Sequence, residues 1–326
     1  MPTQPSAALR LRPFTQGDYE AFARLHNAAF PEHPSSPEEL RVLDAQVAAD
    51  PRLKQARFVA EQDGELVGYA EYSQNPGMYH PQRFMLNAAV RSDRRGQGIG
   101  SALYQHLRAA LEAFDPISLR AQAREDSATV PFLRARGFRE TQRTWESTLD
   151  PRGFDFGPYA GLEERLREQG IRIVTARELR ERDPAWREQL HDTFSAARLD
   201  VPRSEPASPI SLEQYTRFVL EDPGFLEDAY FVALHEERAI GVSDLYRSEA
   251  SEGLFTGFTG VRREYRGRGV ALALKLRALR YAQERGVPWV RTDNASTNAA
   301  MLAVNERLGF RKEPAWLSMV LELKEA

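Results

Sequence analysis

The apolar and polar positions of the chain predict one order of elements, and that order occurs twice. In the first half, alternation over Leu9–Arg12 predicts a strand, and residues 57–72 predict a hairpin around an Asp-Gly turn. Residues 83–90 predict a further strand, and apolar residues at helical spacing begin at Ile99. A short helix over residues 130–136 completes this half.

The second half repeats the pattern. Residues 171–174, 230–246 and 254–261 predict the matching strands, and a helix is predicted from Val270. Three pairs of glycines at matching places are separated by 173, 171 and 172 residues: Gly68 and Gly241, Gly98 and Gly269, Gly137 and Gly309. Several landmarks at one period indicate a duplicated domain.

A segment rich in chain-breaking residues, Asp150–Pro158, separates the two halves. We therefore predict an N-terminal domain over residues 1–150, a linker over 151–160 and a C-terminal domain over 161–326. A chain of 326 residues is long enough for two domains that each bury a core of their own.

Each half places a basic, glycine-rich turn between a strand and a helix, Arg95–Gly100 and Arg266–Ala271. Backbone N–H groups at a helix N-terminus lack intrahelical partners, and the helix dipole favours an anion there. The turns therefore predict phosphate sites. They lack the Gly-Lys-Ser/Thr of a Walker A loop, and Ser101 and Leu272 replace the third glycine of a dinucleotide fingerprint. The nucleophile elbow Gly-x-Ser-x-Gly of one hydrolase class is also absent from the sequence.

These turns resemble the pyrophosphate loop of the GNAT superfamily of N-acetyltransferases, which has the pattern Arg/Gln-x-x-Gly-x-Gly/Ala. Both halves also keep the family's order of elements and close with Arg136-Gly137-Phe138 and Leu308-Gly309-Phe310. The resemblance implies an α/β fold of two tandem GNAT-like domains, each with a central mixed, mostly antiparallel sheet flanked by helices. It also implies direct transfer of an acetyl group from acetyl-CoA, or of another acyl group from its CoA ester, to a primary amine of a small molecule.

The resemblance further implies which residues bind the donor. Backbone N–H groups of the glycine turns would hold the pyrophosphate, and the strand before each turn would pair with the pantetheine arm. In the first half these residues are Ala88, Val90, Arg95, Gly96, Gln97, Gly98, Ile99, Gly100 and Ser101. In the second half they are Thr259, Val261, Arg266, Gly267, Arg268, Gly269, Val270, Ala271, Asn294 and Asn298.

The family's usual acid and base are both missing. Many members have a tyrosine acid four residues before the last glycine, where this chain has Leu133 and Asn305. The strands before the turns contain no carboxylate in the place of the family's glutamate base. Glu71 and Asp244 occupy matching hairpin positions, and they are our candidates for a base, with Asn305 as a further catalytic candidate. The alternatives are solvated strand carboxylates and an asparagine that bonds locally.

The C-terminal domain is predicted to carry most of the activity. It retains the neutral hydrogen-bonding residues Asn298 and Asn305, where the N-terminal domain has Asp126 and Leu133. A carboxylate near a developing thiolate opposes the reaction.

Bulk properties narrow the class of protein. A net charge of −3 and a pI near 6.2 argue against a nucleic-acid or membrane partner. With no cysteine, disulfides and a cysteine acyl-enzyme are excluded, and the histidines show no metal-ligand spacing, so no metal is expected. We expect a cytoplasmic protein, either a monomer that forms an internal pseudo-dimer or a homodimer. A CoA-binding sensor or interaction module with degenerate catalytic groups is the alternative function.

Overall fold

The computed structural model describes residues 8–324, which form thirteen strands and ten α-helices. The strands are β1 (Arg10–Pro13), β2 (Ala56–Gln62), β3 (Glu65–Ser73), β4 (Arg83–Val90), β5 (Ser118–Arg124), β6 (Arg139–Leu149), β7 (Ile171–Thr175), β8 (Phe225–His235), β9 (Arg238–Arg247), β10 (Leu254–Val261), β11 (Val290–Ala295), β12 (Arg311–Lys312) and β13 (Trp316–Glu322). The helices are α1 (Tyr19–Ala29), α2 (Pro37–Ala48), α3 (Ile99–Leu111), α4 (Thr129–Arg134), α5 (Leu162–Glu168), α6 (Ala176–Arg182), α7 (Trp186–Arg198), α8 (Leu212–Tyr215), α9 (Val270–Glu284) and α10 (Ala299–Arg307).

The chain folds into two compact units. Of the described residues, unit 1 contains 8–141 and 318–324, and unit 2 contains 142–317. Each unit therefore takes its last strand from the other half of the sequence. The sequence boundaries at residues 150 and 161 describe the repeat and stay a prediction.

Unit 1 is built on a mixed sheet in the order β1-β2-β3-β4-β5, followed by the part of β13 that begins at Ser318. The first four strands are antiparallel to their neighbours, and β5 is parallel to β4. The parallel pairing joins residues 83–86 to 118–121 only. Beyond Leu86 the two strands no longer pair, so a gap opens towards the glycine turn.

Unit 2 repeats this arrangement in the order β7-β8-β9-β10-β11-β6. Here β10 pairs with β11 only at Leu254 and Phe255. The outer edge of β11 pairs along its length with β6, from Val290 opposite Leu149 to Ala295 opposite Thr144. The strands β10 and β11 thus form a V that opens at the end nearest the glycine turn.

Helices cover both faces of the unit 2 sheet. On one face, α9 packs through Ala273, Leu274 and Leu279 against apolar residues of β8, β9 and β10. On the other face, α6, α7 and α8 cover Tyr230, Val232 and Val242. This layering confirms the predicted fold class, because a sheet must bury both faces against other elements.

Most predicted elements are confirmed with small changes at their ends. The strands β4 and β10 have the predicted bounds, whereas the last short helix of unit 1 is Thr129–Arg134. Within residues 8–324 no helix is both long and apolar enough to cross a bilayer. The same residues include no group of three His, Cys, Asp or Glu placed to hold a metal ion.

Candidate functional site

The two glycine turns have the same backbone geometry. Gly96 and Gly98 have φ values of +76° and +83°, and Gly267 and Gly269 have values of +75° and +89°. Only glycine adopts these left-handed conformations readily, which explains the residue type at these places. Gly98 and Gly269 are the N-caps of α3 and α9, and neither helix has a side-chain cap. The first-turn N–H groups therefore remain available to an anion.

The first arginine of each turn holds the turn to its strand. Arg95 Nε donates to the Val90 carbonyl over 3.2 Å, and Arg266 Nε donates to the Val261 carbonyl over 2.9 Å. Arg266 is also ion-paired with Asp200 over 2.8 Å. In this structure these two arginines stabilise the shape of the loop.

The other predicted donor-binding residues surround the turns. Gln97 and Arg268 are exposed and lean back on the backbone carbonyls four residues earlier. Ser101 Oγ accepts a hydrogen bond from Arg136 over 2.8 Å. The remaining turn and helix residues supply only backbone groups, with Ile99 and Val270 buried and Gly100 and Ala271 partly buried. Ala88, on β4, and Thr259, on β10, lie where each of these strands has left its parallel neighbour.

Asp244 lies in the centre of β9 and is 3% exposed. Opposite it, β10 contains an irregularity between Thr256 and Thr259, and the Phe258 N–H released there donates to the Asp244 carboxylate. Burial raises the pKa of Asp244 to about 7, although the Phe258 N–H favours the ionised form. A carboxyl group with this pKa exchanges its proton readily near neutral pH.

Tyrosine side chains surround Asp244 on the face covered by α6, α7 and α8. Tyr230 is opposite Asp244 on β8, and its hydroxyl lies 2.7 Å from that of Tyr215 on α8. Burial raises the pKa of Tyr230, and the negative charge of Asp244 adds to that effect. No cation stands at the cross-strand position, so the Asp244 charge is uncompensated there.

Glu71 has the matching place in unit 1, but its surroundings differ. The cross-strand residue is Arg57, whose Nε lies 2.7 Å from Glu71 Oε2. Arg57 also binds Asp44 over 2.8 Å, and its side chain is only 7% exposed. The Glu71 charge is therefore neutralised by a buried guanidinium.

The three asparagines of the second half have distinct environments. Asn298 caps α10 and accepts the Met301 N–H over 3.3 Å. Asn305 is 2% exposed and donates to Asn294 Oδ1 over 2.5 Å. Within the described residues, the Asn305 Oδ1 atom is buried without a hydrogen-bond partner. Asn298 thus caps a helix, which is the local role that the sequence analysis named as the alternative to a functional one. Asn305 and Asn294 form a polar pair between α10 and β11.

Lys275, on α9, was missed by sequence reasoning although it is the most buried cation among the described residues of unit 2. It is 3% exposed, and its Nζ lies 5.2 Å from the centre of the Phe310 ring. The only sequence signal was a lysine inside the otherwise apolar run Val270–Leu276. In an amphipathic helix a lysine is expected on the solvent-exposed face. Most of the surface of α9 is buried, so Lys275 lies in the interior.

Two family models match the chain, one in each half. The acetyltransferase (GNAT) family matches residues 19–138, and an acetyltransferase (GNAT) domain matches residues 174–311. Together with the paired sheets and glycine turns, these matches show that the chain belongs to the GNAT acetyltransferases. Acyl transfer is therefore its class of chemistry, and its two GNAT domains stand in tandem, as predicted.

Individual relatives agree with this assignment. The chain is 28% identical over 272 residues to a mycothiol acetyltransferase of Thermobifida fusca, a match that covers 79% of this chain and 80% of the relative. It is 32% identical over 108 residues to N-alpha-acetyltransferase 30 of Schizosaccharomyces pombe, which covers 32% of this chain and 69% of that protein.

Solved structures show the same tandem fold. A tandem GNAT protein from the clavulanic acid biosynthesis pathway has a TM-score of 0.74 and 19% identity, covering 98% of this chain and all of its own. A GCN5-related N-acetyltransferase from Sphaerobacter thermophilus has a TM-score of 0.66 and 19% identity, covering 98% of this chain and 96% of its own. At this identity the likeness concerns the fold.

Proposed function

We propose that the protein transfers an acetyl group from acetyl-CoA to a primary amine of a small molecule, and that unit 2 carries the reaction. The observation that carries this proposal is the buried Asp244 on β9, which has no cation at its cross-strand position. A base for an amine must be deprotonated near neutral pH and must still hold a proton strongly, and a pKa of about 7 meets both demands.

Polar groups of unit 2 suit acetyl-CoA as the donor. The free N–H groups at Gly269 and Val270 suit the pyrophosphate of acetyl-CoA, because helix N-termini bind phosphate. The V between β10 and β11 leaves backbone groups of residues 256–260 without a strand partner on that side, which suits a pantetheine arm. Asn294, with Asn305 behind it, would line this gap on the β11 side.

Direct transfer then needs one proton transfer, from the amine, and the departure of sulfur as the CoA thiolate. The amine nitrogen attacks the thioester carbon and gives its proton to the Asp244 carboxylate, while the carbon–sulfur bond breaks and the sulfur leaves. Backbone N–H groups beside the reacting carbonyl would stabilise the negative oxygen. The chain has no cysteine, so an acyl-enzyme on a thiol is excluded, in agreement with direct transfer.

In unit 1, the same reasoning favours binding over catalysis. Arg57 neutralises Glu71, and Leu133 stands where unit 2 has Asn305. The glycine turn at Gly96 and Gly98 is nevertheless intact. We therefore propose that unit 1 binds CoA without turnover, which confines the sensor alternative to that half of the chain.

The acceptor class is a small molecule, in keeping with the mycothiol acetyltransferase among the relatives. We further propose a cytoplasmic protein without a nucleic-acid, membrane or metal partner, acting as a monomer or homodimer.

The test is release of free thiol from acetyl-CoA in the presence of amino acids, polyamines, amino sugars and aminoglycosides. Asp244→Asn should lower turnover with the best acceptor about 100-fold or more and leave CoA affinity unchanged. Asp228→Asn is the control, since Asp228 forms an exposed ion pair with Arg177 on the neighbouring strand β8. CoA binding without acetylation of any amine would favour the sensor alternative, and full activity of Asp244→Asn would remove Asp244 as the base.

A further inference from the structure

Lys275 is a buried amine without a polar partner. Within residues 8–324 its Nζ has no hydrogen bond and no ion pair, and it lies 5.2 Å from the centre of the Phe310 ring. Burying an unpaired ammonium is costly, so such groups concentrate where function requires them.

Lys275 lies on α9, which packs against β9 and β10. Burial lowers the pKa of Lys275 to about 8, and the charges of Asp293 on β11 and Asp244 on β9 oppose that shift. These two carboxylates lie on the strands on either side of β10.

Phe310 connects this amine to the other side of the gap. The Phe310 N–H donates to the Asn305 carbonyl over 3.0 Å, so the ring next to Lys275 Nζ follows directly from the end of α10. Asn305 carries an unpartnered buried Oδ1 atom. A buried amine on α9 and an unpartnered acceptor on α10 are therefore linked through Phe310.

The reaction proposed for unit 2 still lacks a proton donor. Asn305 occupies the place where a tyrosine acid was expected, and an amide does not give up a proton near neutral pH. The sulfur that leaves the tetrahedral intermediate carries a negative charge until it receives a proton.

We propose that Lys275 is the general acid of unit 2, donating an Nζ proton to the CoA sulfur as the carbon–sulfur bond breaks. The electron pair of that bond stays on sulfur and takes the lysine proton, which leaves a neutral amine at Lys275. The acceptor nitrogen has meanwhile given one proton to Asp244, so charge and protons balance. Solvent returns the proton from Asp244 to Lys275 after the thiol departs. This inference rests on the proposed acetyl transfer.

The pH dependence of kcat separates this role from a structural one. The wild-type protein should show a rise through about pH 7, as Asp244 loses its proton, and a fall above about pH 8, as Lys275 loses its own. Lys275→Met should lower kcat near neutral pH about 100-fold and abolish the alkaline fall. Arg280→Met is the matched control, because it removes an exposed cation from the same helix.

The absence of cysteine from the chain allows a chemical rescue. Lys275→Cys would be the only thiol of the protein, so 2-bromoethylamine applied to the unfolded chain converts that residue alone into a lysine analogue. After refolding, the alkylated variant should regain turnover and an alkaline fall at lower pH, because the neighbouring sulfur makes its amine more acidic. Alkylation with iodoacetamide adds a neutral group and should restore neither.

Two results would overturn the inference and leave acetyl transfer intact. One is a Lys275→Met protein that keeps both its rate and its alkaline fall. The other is a variant whose only change is weaker CoA binding, measured by calorimetric titration, since that would make Lys275 a binding group. If the wild-type protein acetylates no amine, the proposed function itself fails, and the acid role falls with it.

Discussion

Arg57 and Tyr230 occupy the same register position in the two units, each opposite the acidic residue of the next strand. Arg57 pairs with Glu71, and Tyr230 pairs with Asp244. A buried guanidinium in one unit is thus replaced by a neutral phenol in the other. This difference supports the proposal that unit 2 is the catalytic half and that Asp244, rather than Glu71, is its base.

The first prediction concerns the stability of unit 1. Arg57→Met should lower the free energy of unfolding by about 2–4 kcal/mol, because it removes the buried cation shared by the half-buried Glu71 and Asp44. Adding Glu71→Gln should restore part of the loss.

The two units can be followed separately by spectroscopy. All four tryptophans (Trp145, Trp186, Trp289 and Trp316) lie in unit 2, so circular dichroism reports both units and tryptophan fluorescence reports unit 2 alone.

The control for that experiment is Arg177→Met, which breaks a surface ion pair with Asp228 and should cost less than about 1 kcal/mol. Equal losses for the two arginines would show that the Arg57 pairs are not effectively buried.

The second prediction follows from the pKa of Asp244. In the folded protein this pKa is about 7, above the ordinary aspartate value of 3.8, so ionisation favours the unfolded chain. The resulting destabilisation is absent below pH 4, grows as the pH rises from about 4 to 7, and is constant above that range. Asp244→Asn should therefore be more stable than wild type at pH 8, by at most about 4 kcal/mol, and equally stable at pH 3.5.

Urea unfolding at several pH values gives this comparison. A constant difference between Asp244→Asn and wild type would mean that the Asp244 pKa is not raised. If Asp244→Asn is more stable than wild type but has lost turnover, the buried carboxylate is retained for function.

The third prediction tests donor binding by the two glycine turns. Gly98→Asp and Gly269→Asp should each weaken one CoA site by about 2 kcal/mol or more, because a carboxylate then faces the pyrophosphate. Gly98→Asn and Gly269→Asn are matched controls, since asparagine tolerates positive φ and adds no charge. Calorimetric titration should find two CoA sites in wild type, and unchanged sites in both aspartate variants would refute the phosphate reading.

Local patterns were sufficient to predict most elements. The strands β4 and β10 and the glycine turns depend on alternation, breakers and positive φ values, all of which are encoded within a few residues. The matching acids Glu71 and Asp244 were likewise found by the repeat alone.

Cross-strand neighbours were not predictable in the same way. The sequence placed Glu71 and Asp244 as equals, because it gave no register for the residues opposite them, and Arg57 lies 14 residues before Glu71 along the chain. Lys275 was overlooked because the extent of α9 burial depends on the sheet beneath it. The exchange of last strands between the units also depends on distant pairing, which a repeat of about 172 residues does not reveal.

The last prediction tests that exchange of strands. Residues 318–324 belong to unit 1, and Met319 and Val320 in this segment are fully buried. Met319→Ala should therefore cost about 2–5 kcal/mol in unit 1, since it removes most of a packed side chain and leaves a cavity. Glu322→Ala, at the exposed end of the same strand, is the control and should change little. Circular dichroism should show the loss, whereas an equal or larger shift in tryptophan fluorescence with unchanged dichroism would place Met319 in the core of unit 2 and contradict the assignment.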